Sequence, residues 1–163
     1  MQTQQTQWSL RPATEDDLPE LFRIEQECHR SPWGSEHFKT ELEKPYSHLL
    51  VLTDDETDSK VAGYVVFWIM FDESQILNVV VDTPFRRTGL ARNMIRQVAR
   101  ISHQKGVKRV VLEVRKSNMP AIQLYQNCSF SITHVRKKFY SDGEDAYHMT
   151  LFLEELAPAT DLV

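Results

Sequence analysis

The sequence predicts an α/β fold: a mixed, mostly antiparallel sheet with a central β-α-β crossover and helices on both faces. Three observations carry this. Strand-length runs rich in β-branched and aromatic residues recur along the chain: HLLVLT (His48–Thr53), VAGYVVFWIMF (Val61–Phe71), ILNVVV (Ile76–Val81) and VKRVVLEV (Val107–Val114). A helical stripe, Leu90, Met94, Val98 and Ile101, widened by Ala91, Ile95, Ala99 and Ser102, separates the last two. The chain then closes on a hairpin pattern, Phe130–Tyr140 and Ala146–Leu153, around the turn signal Asp142-Gly143.

Each element has its own signal. WSLRPA (Trp8–Ala13) reads as a first strand. Thr14 followed by Glu15-Asp16-Asp17 offers an N-cap and an acidic first turn, with Leu18, Leu21, Phe22, Glu25 and Cys28 at helical spacing behind it. Ser35-Glu36-His37-Phe38 starts a second short helix that ends near Lys44-Pro45. DDETDSK and Asp72-Glu73-Ser74 read as turns. Lys105-Gly106 ends the central helix with a basic last turn and a C′ glycine. Val107–Val114 has the character of a strand buried on both faces. Ser117-Asn118-Met119-Pro120 caps a last helix carrying Ala121, Ile122, Leu124 and Tyr125.

With 163 residues, 41% hydrophobic and 26% charged, the chain suits one domain, 1–163, with loose tails at 1–7 and 157–163. Nineteen Lys and Arg against 23 Asp and Glu give a formal charge of -4, which argues against a general nucleic-acid binder. The basic clusters Arg86-Arg87 and Arg136-Lys137-Lys138 read as solvated surface. Cys28 and Cys128 stand alone, and the six histidines show no ligand spacing, so neither a disulfide framework nor a metal site is expected. MQTQQTQ lacks the basic and apolar regions of a signal peptide, and no apolar run approaches the ~18 residues of a membrane span. A cytoplasmic protein with no membrane partner is the expectation.

The informative stretch is DTPFRRTGLARNMI (Asp82–Ile95), where a strand gives way to a helix. The first N–H groups of a helix have no intrahelical partner, and the helix dipole adds partial positive charge there. Gly89 presents no Cβ to an approaching anion, and Arg87 and Arg92 add charge. The pattern reads as an anion site, for a pyrophosphate in particular. It is not a P-loop, since no G-K-[ST] follows, and one glycine does not make a dinucleotide fingerprint. Glu113, 24 residues beyond Gly89, lies where a ribose-binding acid would sit, but the missing glycines argue against that fold. An ordinary βα turn with surface arginines is the competing reading.

Two motifs settle the choice. RRTGLA (Arg86–Ala91) resembles the Q/R-x-x-G-x-G/A signature of the GNAT superfamily of N-acetyltransferases. LEVRKSNMPAIQLYQNCSF (Leu112–Phe130) is similar to a motif of its ribosomal-protein-alanine N-acetyltransferase branch, as are Ser31-Pro32-Trp33 and KKFYSDGEDAYHM. The resemblance spans Trp8 to Leu153. Ala91 stands where many members have a second glycine, and Ser129 where glycine is usual; a positive φ there would cost serine roughly 1 kcal/mol.

The resemblance implies a GNAT-type domain that uses acetyl-CoA and no metal. Val79, Val80 and Val81 would hold the pantetheine arm through their backbones. Arg87, Thr88, Gly89, Leu90, Ala91 and Arg92 would hold the pyrophosphate, and Asn118 would contact the cofactor. The acceptor implied is a protein N-terminus, that of a small-subunit ribosomal protein beginning with alanine. Acetylation of a lysine or small-molecule amine, or a non-catalytic CoA- or nucleotide-binding module, are the alternatives. Amine attack on a thioester needs a base and then an acid for the leaving thiolate. Glu113 is the candidate base, directly or through a water, and Tyr125 the candidate acid. The structural alternatives are a strand-end salt bridge for Glu113, a core ring for Tyr125 and a helix cap for Asn118.

Overall fold

The computed structural model describes residues 7–54 and 60–155. The tails expected at 1–7 and 157–163 lie outside the described residues, apart from Gln7, as does most of the acidic turn before Lys60. Seven strands form one mostly antiparallel sheet: β1 (Trp8–Pro12), β2 (Ser47–Asp54), β3 (Val61–Met70), β4 (Glu73–Val81), β5 (Arg109–Arg115), β6 (Ser131–Arg136) and β7 (Ala146–Phe152). Their order is β1-β2-β3-β4-β5-β7-β6. Four helices accompany them: α1 (Leu18–Cys28), α2 (Ser35–Glu43), α3 (Leu90–Gln104) and α4 (Met119–Asn127). No helix among the described residues is long and apolar enough to cross a membrane.

The chain forms two compact units. The first contains the described residues up to Phe67 together with Asn78–Met94. Here β1 and β2 run antiparallel, Trp8 opposite Asp54 and Pro12 opposite Leu50. Thr14 opens the first helical segment as expected. A 3-10 turn, Glu15–Asp17, precedes α1, and the Asp17 carboxylate accepts from the Thr14 amide at 2.7 Å. Arg11 grips the same carboxylate with two bonds of 2.8 and 2.9 Å, and this holds the acid below the ordinary aspartate range. Leu21, Ile24, Phe38, Val51, Leu52, Tyr64, Val65 and Val66 fill the core, with Phe38 edge-on to Tyr64 at 5.4 Å.

Gly63 is demanded by this packing. A Cβ there would lie 2.3 Å from the Val80 carbonyl oxygen, so β4 passes too close to β3 for any side chain.

The second unit contains Trp68–Leu77 and the described residues from Ile95 on. The turn between β3 and β4 falls at Phe71-Asp72, with Phe71 at φ 54. The sequence pattern places it at Asp72–Ser74, but Glu73 and Ser74 pair in parallel with Arg109 and Val110 of β5. Ser74 is buried, and its hydroxyl meets that of Ser102 on α3 at 2.7 Å, so burial of both is satisfied by one hydrogen bond. The parallel register covers Glu73–Gln75 against Arg109–Val111. On the other side of β5, β7 pairs antiparallel over its whole length, and β6 lies outside β7. The terminal hairpin thus lays its second strand against β5 and leaves its first at the edge.

Both α3 and α4 end in a Schellman arrangement. After α3, the Gly106 and Val107 amides donate to His103 and Ser102, with Gly106 at φ 74. After α4, Ser129 and Phe130 donate to Gln126 and Tyr125, and the left-handed position is Ser129 at φ 68. The Tyr125 and Phe130 rings meet at 6.0 Å, the apolar contact that usually closes this motif. The positive φ suspected from the sequence is present, so serine there carries strain.

Ser129→Gly should therefore raise stability by about 1 kcal/mol in chemical denaturation, with the denaturant slope unchanged. Gly63→Ala should lower it by roughly 1–3 kcal/mol, because its methyl meets backbone that cannot rotate away.

Candidate active site

The strand-to-helix junction is organised by one buried acid. Asp82 directly follows β4, and its amide donates to the Ala62 carbonyl at 2.8 Å. Its Oδ1 accepts from the Thr83 amide at 2.8 Å and so caps a 3-10 turn, Thr83–Phe85. Its Oδ2 accepts from Arg23 of α1 at 2.7 Å. Arg23 also binds Glu20 and Glu27, and these carboxylates, Glu20 and then Asp82 foremost, raise its affinity for its proton above the ordinary arginine value. Neither Asp82 nor Arg23 stood out in the sequence. The only signal was an Asp before a Thr-Pro, which is a common turn start.

Beyond this turn the backbone crosses into the left-handed region at Arg87 (φ 63) and Gly89 (φ 82). The Thr88 hydroxyl donates to the Phe85 carbonyl at 2.5 Å, and Arg86 Nε donates to that of Val81 at 3.1 Å. The first carbonyl to serve α3 is that of Gly89, the residue before it, which accepts from Asn93 at 3.0 Å. Among the described residues, no backbone carbonyl accepts from the N–H groups of Arg87, Thr88, Gly89, Leu90, Ala91 or Arg92. Six consecutive donors are thus left open at the start of a 15-residue helix. A Cβ built on Gly89 would meet nothing within 4 Å. Arg87, Thr88, Gly89 and Arg92 are exposed, Ala91 is half-buried, and Leu90 is buried as the anchor of the turn. Such a cradle fits a phosphate group: open donors, exposed guanidinium groups and no side chain above the glycine. Val80 is buried, and Val79 and Val81 are half-buried in the strand that leads into it.

The second unit holds the other three sequence-predicted residues. Glu113 lies on β5 opposite His148 of β7, and its side chain is only 9% exposed. Its Oε1 is shared by Arg136 Nη1 at 2.7 Å and His148 Nδ1 at 2.9 Å, and its Oε2 faces the Gln75 amide at 3.5 Å. The ion pair expected as the structural alternative is present, and His148, for which the sequence carries no local signal, lies beside it. His134 on β6 pairs with His148, ring to ring at 5.5 Å.

Tyr125, on α4, is half-buried, and its hydroxyl end lies in a desolvated setting that pushes it up to about 12. No described residue hydrogen-bonds that hydroxyl. Desolvation thus favours the neutral phenol. Tyr140, in the hairpin loop, is raised as well: burial leads, the Arg115 guanidinium 4.0 Å over its ring opposes, and Glu113 adds to the rise. Asn118 caps α4, its Oδ1 accepting from the Ala121 amide at 3.2 Å. Its cap role is thus real, and its amide nitrogen remains for another partner. Among the described residues, no cluster of histidines, cysteines and acids is arranged to hold a metal ion.

Known proteins resemble this chain in sequence and in fold. A Bacillus subtilis relative, provisionally named a ribosomal protein bS18-alanine N-acetyltransferase, is 35% identical over 152 residues, covering 92% of this chain and 99% of that protein. The ribosomal protein bS18-alanine N-acetyltransferase of Salmonella typhimurium is 33% identical over 138 residues, covering 83% and 90%. The crystal structure of the ribosomal-protein-S18-alanine N-acetyltransferase from Escherichia coli superposes with a TM-score of 0.82 at 29% identity, over 94% of this chain and 98% of that one. Residues 18–130 match the acetyltransferase (GNAT) family profile, and the chain belongs to that family.

Proposed function

We propose that the protein transfers acetyl from acetyl-CoA to the N-terminal α-amine of a protein, the N-terminal alanine of a ribosomal protein in the cytoplasm. The observation that carries the cofactor is the run of six open N–H groups from Arg87 to Arg92. Relatives named for alanine N-acetylation of bS18 carry the acceptor.

Acetyl-CoA would supply an activated acetyl thioester and a pyrophosphate handle. Arg87, Thr88, Gly89, Leu90, Ala91 and Arg92 take the pyrophosphate on their amides, with the two arginines screening its charge. Val79, Val80 and Val81 offer backbone groups to the pantetheine amides, in the manner of an added strand. The parallel register of β4 ends at Gln75, which supports this use of the strand's later residues. Asn118 holds the cofactor through its side-chain amide nitrogen, its oxygen being committed to the cap.

The acceptor amine must be neutral to attack. An α-amine, with an ordinary pKa of about 7.7–8.0, loses its proton far more readily than a lysine at about 10.4. Glu113 supplies the negative charge at the site that favours loss of this proton. Tyr125 returns one to the departing sulfur, and its raised affinity keeps it protonated until a thiolate forms.

Calorimetric titration of Gly89→Val should show acetyl-CoA affinity falling by about ten-fold or more in a folded protein, since the added side chain enters the space a phosphate needs. Unchanged affinity would remove the pyrophosphate from this turn. Mass spectrometry with acetyl-CoA should find acetate on an alanine-started peptide and almost none on a lysine of an N-blocked peptide. Faster labelling of the blocked peptide would overturn the α-amine acceptor. Tyr125→Phe keeps the contact with Phe130 and should lower kcat by ~10²–10⁴-fold with little change in Tm.

A further inference from the structure

Glu113 is poorly placed to collect a proton alone. Its Oε1 already serves Arg136 and His148, and its Oε2 faces the Gln75 amide. The imidazole beside it has the complementary arrangement. A carboxylate against Nδ1 selects the tautomer with the hydrogen on Nδ1, which leaves the Nε2 lone pair as an acceptor. No described residue hydrogen-bonds Nε2 of His148, and the side chain is 22% exposed, so that nitrogen is reachable. A carboxylate that orients an imidazole also steadies the imidazolium formed when Nε2 takes a proton. The groups facing His148 are Glu113 on β5 and His134 on β6, with Arg136 on β6 and Tyr140 in the hairpin loop acting on Glu113.

We propose that His148 is the residue that takes the acceptor amine's proton, with Glu113 as the positioning residue that fixes its tautomer. This rests on the acetyl-transfer reading above and refines the part played there by Glu113. In the step, the amine nitrogen bonds to the acetyl carbon as the carbon–sulfur bond breaks. The amine's proton goes to Nε2 of His148, and the sulfur takes the phenolic proton of Tyr125. Imidazolium and phenolate then exchange one proton through solvent, which restores both. No oxidant or metal is required.

The arrangement depends on one feature of the hairpin. Because β7 lies between β5 and β6, His148 is the cross-strand neighbour of both Glu113 and His134.

The test uses three variants of the full chain with acetyl-CoA and an alanine-started peptide. His148→Asn keeps an amide N–H near the Nδ1 position and removes Nε2. It should lower kcat by ~10²–10⁴-fold, with acetyl-CoA affinity by calorimetry and Tm close to wild type. His148→Ala should lose as much, and free imidazole in the buffer should restore its rate by about ten-fold or more, which a purely structural role would not allow. His103→Asn, an exposed position at the far end of α3, is the control and should turn over normally. A kcat for His148→Asn within about three-fold of wild type overturns the proposal, as does a loss in His148→Ala that imidazole leaves untouched. If wild type labels only the blocked lysine peptide, the α-amine acceptor falls, and the same variants judged on that peptide still decide the role of His148.

Discussion

The Asp82 carboxylate fixes where β4 stops and the cradle starts. Both of its oxygens are committed, one to the Thr83 amide and one to Arg23, and its own amide is held by the Ala62 carbonyl. A carboxylate 4% exposed is costly to bury without such partners, so the helix carrying Arg23 and the strand carrying Ala62 are held to one geometry by the same acid. Gly63 enforces this from the other side, since only a residue without a Cβ lets the Val80 backbone approach. The open donors of Arg87 to Arg92 follow. With the turn capped at Asp82 and the chain passing through positive φ at Arg87 and Gly89, no upstream carbonyl meets these amides.

The second unit is organised by strand order. Insertion of β7 between β5 and β6 puts Glu113, His148 and His134 in a row across three strands. Arg136 closes the row with a 2.7 Å ion pair to Glu113. Arg115 sits one turn of the strand pattern away, bound to Asp142 and Glu144 and lying over the Tyr140 ring, so the hairpin loop is tied to the end of β5. Charges here serve to fix side chains in place. The net stabilisation from such partly exposed pairs is small.

Helix α4 shows how a local backbone rule sets a candidate side chain. Tyr125 is the residue whose carbonyl receives the Phe130 amide, so the end of the helix is closed on the tyrosine itself. The strain of Ser129 is accepted where α3 uses Gly106 for the same turn. The ring contact with Phe130 then holds Tyr125 in place.

Much of this was legible in the sequence because it depends on neighbours along the chain. The strand runs, the Thr14 and Asn118 caps, the Gly106 stop and the cradle from Arg87 to Arg92 are all local signals, read within a few residues. So was the positive φ at Ser129, through a glycine missing from a familiar motif. What only the tertiary structure decided joins residues far apart in the chain. Arg23 meets Asp82 across 59 positions, and Glu113 meets His148 across 35. The Gly63 requirement arises from a strand that begins ten residues later. Register and strand order bring such residues together, and hydrophobic periodicity reports which face a residue occupies but not which residue of another strand will lie beside it. For that reason the sequence by itself determined the sheet and helix pattern and marked the turn from Arg87 to Arg92, Glu113 and Tyr125 as candidates. The partner that gives Glu113 its setting, His148, was decided by where β7 inserts.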